Sequence, residues 1–183
     1  IAILSEVVRQ KLPCGDEQAA LEKIATTARR TIDGMSELVW YVSPKHDAVG
    51  DLIDRVQDFA GEPLRLKDIA LDVECHASAK DVKLAPEVRK ELFLIIKEAL
   101  NNAVRHAQCS SISIGVNTAG RRLAIDMRDD GCGISAETKH NGHGLENMRK
   151  RTENLGGDFS LDSARGTGTR LLIQIPLSFQ LKR

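Results

Sequence analysis

Glu98 and Asn102 lie four residues apart in Glu98-Ala99-Leu100-Asn101-Asn102-Ala103, with Arg105 and His106 a turn further on. On a helix, that spacing stacks the carboxylate and the amide on one face. A carboxylate, an amide and a cation in line could serve a magnesium phosphate site, because the hard ion takes oxygen ligands while keeping several waters and Arg matches phosphate oxygens. A solvated helix face accounts for the same residues equally well. Asp129-Asp130-Gly131-Cys132-Gly133 adds a D-x-G-x-G turn after an apolar run. Its glycines permit close backbone approach, and a carboxylate held there can accept a hydrogen bond from an exocyclic amine. A surface hairpin turn would also be rich in Asp and Gly. It would not account for Gly142-His143-Gly144-Leu145, which opens a helix and offers backbone N–H groups to an anion. Gly166-Thr167-Gly168-Thr169 then precedes the last strand. No G-x-x-x-x-G-K-[ST] occurs, which excludes a P-loop on motif grounds.

These residues need elements to position them, and the chain carries a pattern for each. Pro86 sits where helix N-termini accept it, and Leu92, Ile95, Ala99 and Ala103 mark a core-facing stripe up to His106. Segments 111–116 and 123–127 alternate with period two around an Ala119-Gly120-Arg121 turn, predicting paired strands. A helix is expected over Leu145–Leu155, stopped by Gly156-Gly157, and paired strands over Asp158–Asp162 and Thr169–Ile175. Upstream, Asp51–Glu62 looks helical and Ile69–Val73 looks like a strand.

The first forty residues differ. Ile1–Lys11 reads as helical, Pro13-Cys14-Gly15-Asp16 is expected to break it, and Leu21, Ile24, Ala28, Ile32, Met35, Leu38 and Val39 mark one apolar stripe of a second helix expected within Glu17–Val42. Two such helices make a hairpin with little beneath its stripe, and a second copy completing a four-helix bundle is the usual remedy. Packing against the rest of the same chain is the alternative. The domain expectation is a dimerisation hairpin over 1–43, a hinge over 44–50, a catalytic domain over 51–178 and a tail over 179–183. His46-Asp47 follows Pro44 and reads as a helix-capping loop.

Composition narrows the partners. The chain has 183 residues with 26 basic and 26 acidic side chains, 42% hydrophobic and 3% aromatic, which suits one packed domain with an appendage. Zero net charge and few aromatics suit neither a phosphodiester backbone nor stacked bases, so nucleic acid is not expected. The longest apolar runs, such as Leu92–Ile96, fall far short of the roughly 18 residues a membrane span needs, and no direct membrane contact is expected. Cys14, Cys75, Cys109 and Cys132 are scattered without a C-x-x-C pair, which fits reduced thiols in a cytoplasmic protein rather than a zinc knuckle or a disulfide framework. The chain opens on Ile1-Ala2-Ile3-Leu4, with neither Met nor a basic leader, and is expected to be a piece of something longer.

The four boxes, E-x-x-x-N-A on a helix, D-x-G-x-G after a strand, G-x-G-L opening a helix and G-T-G-T before a strand, occur in one order. That order resembles the GHKL superfamily of gyrase, chaperone, histidine-kinase and mismatch-repair ATPases. Glu98 to Ala107 and Gly142 to Arg151 are similar to bacterial sensor histidine kinases, in the subfamily whose response regulators carry a helix-turn-helix output domain. Met35-Ser36-Glu37-Leu38-Val39-Trp40 through Pro44 and Asp47 resembles that subfamily's hinge. The resemblance implies an α+β fold, a Bergerat-type sandwich of a mixed sheet packed on helices, preceded by part of a dimerisation hairpin.

Carried over, the resemblance makes Glu98 and Asn102 catalytic and Asn102 a Mg2+ ligand. Asp129 would hydrogen-bond the adenine amino group, with Gly131 and Gly133 admitting the base. Arg105 and His106 would face the phosphates of ATP. Gly142 and Gly144, with His143 and Leu145, would anchor a mobile lid over Ile134–His143. Thr169, next to Gly168, would help hold the adenine through water. The implied activity is ATP-dependent phosphorylation of a His on the parent protein and then of an Asp on a response regulator, in a cytoplasmic homodimer. Nothing like the family's phosphoacceptor segment appears in Ile1–Glu6, so the acceptor is expected upstream and this piece is expected to bind ATP without autophosphorylating. A GHKL ATPase or anti-sigma serine kinase would share the boxes but not the hairpin and Trp40 hinge. A non-catalytic dimerising or regulator-docking module is the remaining rival, and intact boxes argue against it.

Overall fold

The structure is a computed structural model that describes residues 23–24, 26–28, 40, 47–134 and 143–177. The chain divides into two compact units, Ile1–Ser43 and Pro44–Arg183. In the first, the described residues are helical, and the rest of the expected hairpin lies outside the described residues.

The second unit opens with α1 (Val49–Arg65), longer at both ends than the apolar spacing predicts. Its start is set by Asp51, whose carboxylate accepts the Ala48 N–H at 2.9 Å and places negative charge in the first turn. Leu52, Ile53, Val56, Ala60 and Leu64 bury one face. Asp47, just before it, is ion-paired with Lys83 at 2.6 Å. Strand β1 (Ala70–Cys75) follows, then the short α2 (Ala77–Lys80) and α3 (Pro86–Asn102). Pro86 stands at the first turn of α3, and Val88, Leu92, Phe93, Ile95, Ile96 and Leu100 are buried. The Phe59 and Phe93 rings meet edge to face with centroids 6.0 Å apart, fastening α1 to α3.

The α-helix does not continue to His106 as the periodicity predicts. Ala103–Ala107 forms a wider π-helical turn, and Gln108 closes it in a left-handed conformation at φ 52°. At its end the Ala107 carbonyl accepts the Cys132 N–H at 2.7 Å, which ties the turn to a residue distant in sequence.

The remaining elements are β2 (Ser111–Ala119), β3 (Arg122–Asp129), α4 (His143–Asn154), β4 (Asp158–Ser163) and β5 (Thr169–Pro176). They complete a five-stranded sheet in the order β1-β2-β3-β5-β4. β1 pairs parallel to β2, which requires the crossover through α2 and α3, and the other pairs are antiparallel. The sheet is therefore mixed and packed with helices, as the resemblance implies. Ile112, Ile114, Val116, Leu123, Ile125, Met127, Leu171, Ile173 and Ile175 are buried on its inner face. The outer face carries ion pairs, with Asp126 gripped through both oxygens by Arg128 and by Arg170.

Candidate functional site

Register gathers the chemistry into one row. Ile112 pairs with Asp129, Asp129 with Thr169, and Thr169 with Ser163, so these residues cross β2, β3, β5 and β4 at one end of the sheet. The next row on the same face holds Ile114, Met127, Leu171 and Leu161. Ile112, Asp129 and Thr169 of the first row and Met127, Leu171 and Leu161 of the second floor a cavity of about 900 Å³, closed on its other sides by the end of α3, the π-helical turn and the start of α4. Ile112, Met127, Leu161 and Leu171 make its apolar wall, joined by Leu145 and Met148 from α4.

At the sheet end, the Gly131 N–H donates to Asp129 Oδ1 at 3.0 Å, fixing that carboxylate while leaving Oδ2 to accept another donor. The neighbouring Asp130 is committed elsewhere. It accepts the Ser110 N–H at 2.8 Å, the Ser110 hydroxyl at 2.6 Å and the Ser111 N–H at 2.9 Å. The Ser110 hydroxyl, first among these, holds its pKa well below the carboxylate range. Of the two adjacent acids, one ties loops together and the other faces the cavity.

The loops around Asp129 meet main chain to main chain. A Cβ on Gly131 would strike the Ala107 carbonyl, one on Gly133 the Ala164 carbonyl, and one on Gly168 the Asp129 carbonyl. Gly133 at φ 69° and Gly168 at φ 75° also adopt backbone that side chains disfavour. Ser163 binds these loops: its hydroxyl accepts the Ile134 N–H at 2.9 Å, donates to the Gly168 carbonyl at 3.0 Å and lies 3.0 Å from Thr169 Oγ1.

At the helical end, Glu98 and Asn102 face the start of α4. A Cβ on Gly144 would collide with Glu98 Oε1 and lie 3.6 Å from Asn102 Nδ2, so both side chains pack where that glycine leaves room. Among the described residues no cluster of three or more His, Cys, Asp or Glu could hold a metal. A carboxylate and an amide oxygen on adjacent helical turns nevertheless suit a hard cation that keeps most of its waters and takes further oxygens from phosphate.

Glu98, Asn102, Arg105, His106, Asp129, Gly133, Gly144, Leu145 and Thr169 thus line one cavity. Gly131 and Gly168 stand behind them, pressed on the Ala107 and Asp129 carbonyls. His143 is exposed in the first turn of α4 and does not line the cavity. Gly142, with most of the expected lid over Ile134–His143, lies outside the described residues. Ser163 and Arg165 were not evident from the motifs. A hydroxyl directly opposite Thr169 on the neighbouring strand was the only signal for Ser163, and it depends on knowing the strand pairing.

An α+β sandwich with one acid at the end of a central strand, glycines against carbonyls and a Glu/Asn pair on the covering helix defines a nucleotide-binding domain without a P-loop. The comparisons identify its family. The family model described as histidine kinase-, DNA gyrase B-, and HSP90-like ATPase matches residues 87–179, and the chain belongs to that family. As a member of an ATPase family, the domain binds ATP.

The chain is 30% identical over 114 residues to the signal transduction histidine-protein kinase/phosphatase DegS of Bacillus subtilis strain 168, covering 60% of this chain and 30% of DegS. It is 28% identical over 120 residues to the sensor protein VraS of Staphylococcus aureus, covering 62% of this chain and 35% of VraS. The chain thus spans about a third of these relatives. Among solved structures, it is similar to the blue-light activated histidine kinase of Erythrobacter litoralis EL346, with a TM-score of 0.57 and 25% identity over 68% of this chain and 45% of that one. The fold is also that of the Acinetobacter baumannii histidine kinase AdeS, with a TM-score of 0.64 and 13% identity, covering 95% of this chain and 91% of that one.

Proposed function

We propose that the Pro44–Arg183 unit is the catalytic region of a sensor histidine kinase, binding ATP with Mg2+ and presenting the γ-phosphoryl group to a histidine side chain of the parent protein. The observation that carries it is that one cavity holds the Asp129 carboxylate beside an apolar wall and, on its helical side, the Glu98 and Asn102 pair at the start of α4. Asp129 Oδ2 accepts from an exocyclic amine while Oδ1 stays on the Gly131 N–H. The apolar wall excludes water from that hydrogen bond, which raises its worth. Asn102 and Glu98 would hold the cation at the other end. Bound Mg2+ would neutralise phosphate charge there. Arg105 and His106 stand beside Asn102, within the same cavity, as phosphate partners. Phosphoryl transfer depends mainly on position and charge stabilisation, so the domain needs no nucleophile of its own.

Dimerisation through the 1–43 segment and transfer onward to a response-regulator Asp belong to the same reading, supported by the kinship to DegS and VraS. Titration calorimetry tests the binding half. Asp129→Asn keeps an oxygen for the Gly131 N–H but loses the charge, and should weaken Mg·ATP binding by roughly 10- to 100-fold with the fold intact. Unchanged affinity would remove Asp129 from the site. In the full-length protein, labelled γ-phosphate should appear as an acid-labile, base-stable phosphoprotein. Release of inorganic phosphate alone would place the protein with the ATPases of the family.

A further inference from the structure

Arg165 lines the cavity, yet none of the motif positions includes it. We infer that Arg165 is a nucleotide-contacting residue that stacks its guanidinium on the face of the bound base, on top of the Asp129 hydrogen bond. The inference rests on the nucleotide reading of this cavity and adds a specificity contact to it.

Three observations carry it. First, the loop between β4 and β5 that bears Arg165 is fixed at the base end. Its Gly166 N–H donates to the Cys132 carbonyl at 2.7 Å, its Ala164 carbonyl packs on Gly133, and Thr167 closes it through its N–H to the Ala164 carbonyl at 3.1 Å. Second, Arg165 is exposed and forms no ion pair among the described residues, whereas the other sheet-side arginine at the cavity, Arg128, spends its Nε and Nη2 on Asp126. A cation at a cavity rim with no carboxylate partner is available to a ligand. Third, no Phe, Tyr or Trp among the described residues lines the cavity. The base therefore meets aliphatic side chains on the sheet side, and a planar group for stacking has to be a guanidinium or an imidazole. Arg105 and His106 lie on the π-helical turn that follows Asn102, and the proposed function assigns both to the phosphates. Arg165 is the planar cation on the loop that leads into Thr169, and guanidinium groups stack well on aromatic faces.

The test compares ATP, ADP and AMP binding to wild type, Arg165→Ala, Arg165→Lys and Asp129→Asn by calorimetry, with melting curves to confirm folding. Arg165→Ala should weaken all three nucleotides by the same factor, about three- to tenfold, because the base is common to them. Arg165→Lys should lose nearly as much, since it keeps the charge but not the plane. A loss that grows with phosphate number and is restored by Lys would show a phosphate contact and overturn the stacking. So would unchanged affinity for every nucleotide in both variants while Asp129→Asn still impairs binding. Failure of wild type to bind any of the three would instead strike the nucleotide reading itself.

Discussion

Gly144 and Gly168 both leave no room for a Cβ, yet they should fail differently when substituted. At Gly144 the obstacle is Glu98 Oε1, the far end of a flexible side chain. Gly144→Ala should therefore fold normally, with the ligand-free Tm within about 2 °C of wild type, and lose roughly tenfold or more in Mg·ATP affinity because Glu98 is displaced. At Gly168 the obstacle is the Asp129 carbonyl, and φ is 75°. Gly168→Ala should destabilise the fold itself by about 2–3 kcal/mol, a fall in Tm of roughly 5–10 °C. Calorimetry and melting curves on the two variants distinguish a site glycine from a scaffold glycine, and equal Tm values would contradict the distinction.

Among the elements, β4 contributes most through its last residue. Ser163→Ala leaves the Ile134 N–H and the Gly168 carbonyl without their hydroxyl and should cost about 1–2 kcal/mol, read from denaturant midpoints. Ser163→Thr, if its hydroxyl takes the same rotamer, should recover part of that. Ser163 was hidden from sequence because its partners are not its neighbours: Ile134 lies 29 residues away. The strands themselves were legible where one face is buried, as at Ile112, Ile114 and Val116. They were underestimated where pairing runs on through polar residues, as from Asn117 to Ala119, because main-chain ladders extend beyond apolar alternation. The π-helical turn shows the same limit. Ala103, Val104 and Ala107 satisfy helical periodicity, and nothing in that local pattern announces the wider turn or the Cys132 N–H that the Ala107 carbonyl meets after an intervening hairpin. The site's motif residues were legible for the opposite reason, since each box is local and its spacing survives without the fold.

For the folded unit as a whole, the outer sheet face sets part of the response to acid. Partial burial by itself would raise the Asp126 pKa, but hydrogen bonds from Arg128 and Arg170 outweigh it and bring the value down to about 2 from 3.8. A depressed carboxylate pKa means that the folded state holds fewer protons than the unfolded chain. The stabilisation is present above pH 3.8 and is lost as the pH falls toward 2. Asp126→Asn should flatten the dependence of the urea midpoint on pH between about 4 and 2, and an unchanged slope would contradict the role assigned to this carboxylate. Saturating Mg·ATP at 100 times its Kd should add about 2.7 kcal/mol at neutral pH, independently of the outer face. The loops at the base end bear on how such a site can change over time. Where Gly131, Gly133 and Gly168 rest on the Ala107, Ala164 and Asp129 carbonyls, there is no side chain to shorten or lengthen. Drift cannot resize that end by small steps, as it can an aliphatic wall. New ligand preferences must enter through side chains at the rim, and a library seeking altered base selectivity belongs at Arg165 and its neighbours, with the glycines left untouched.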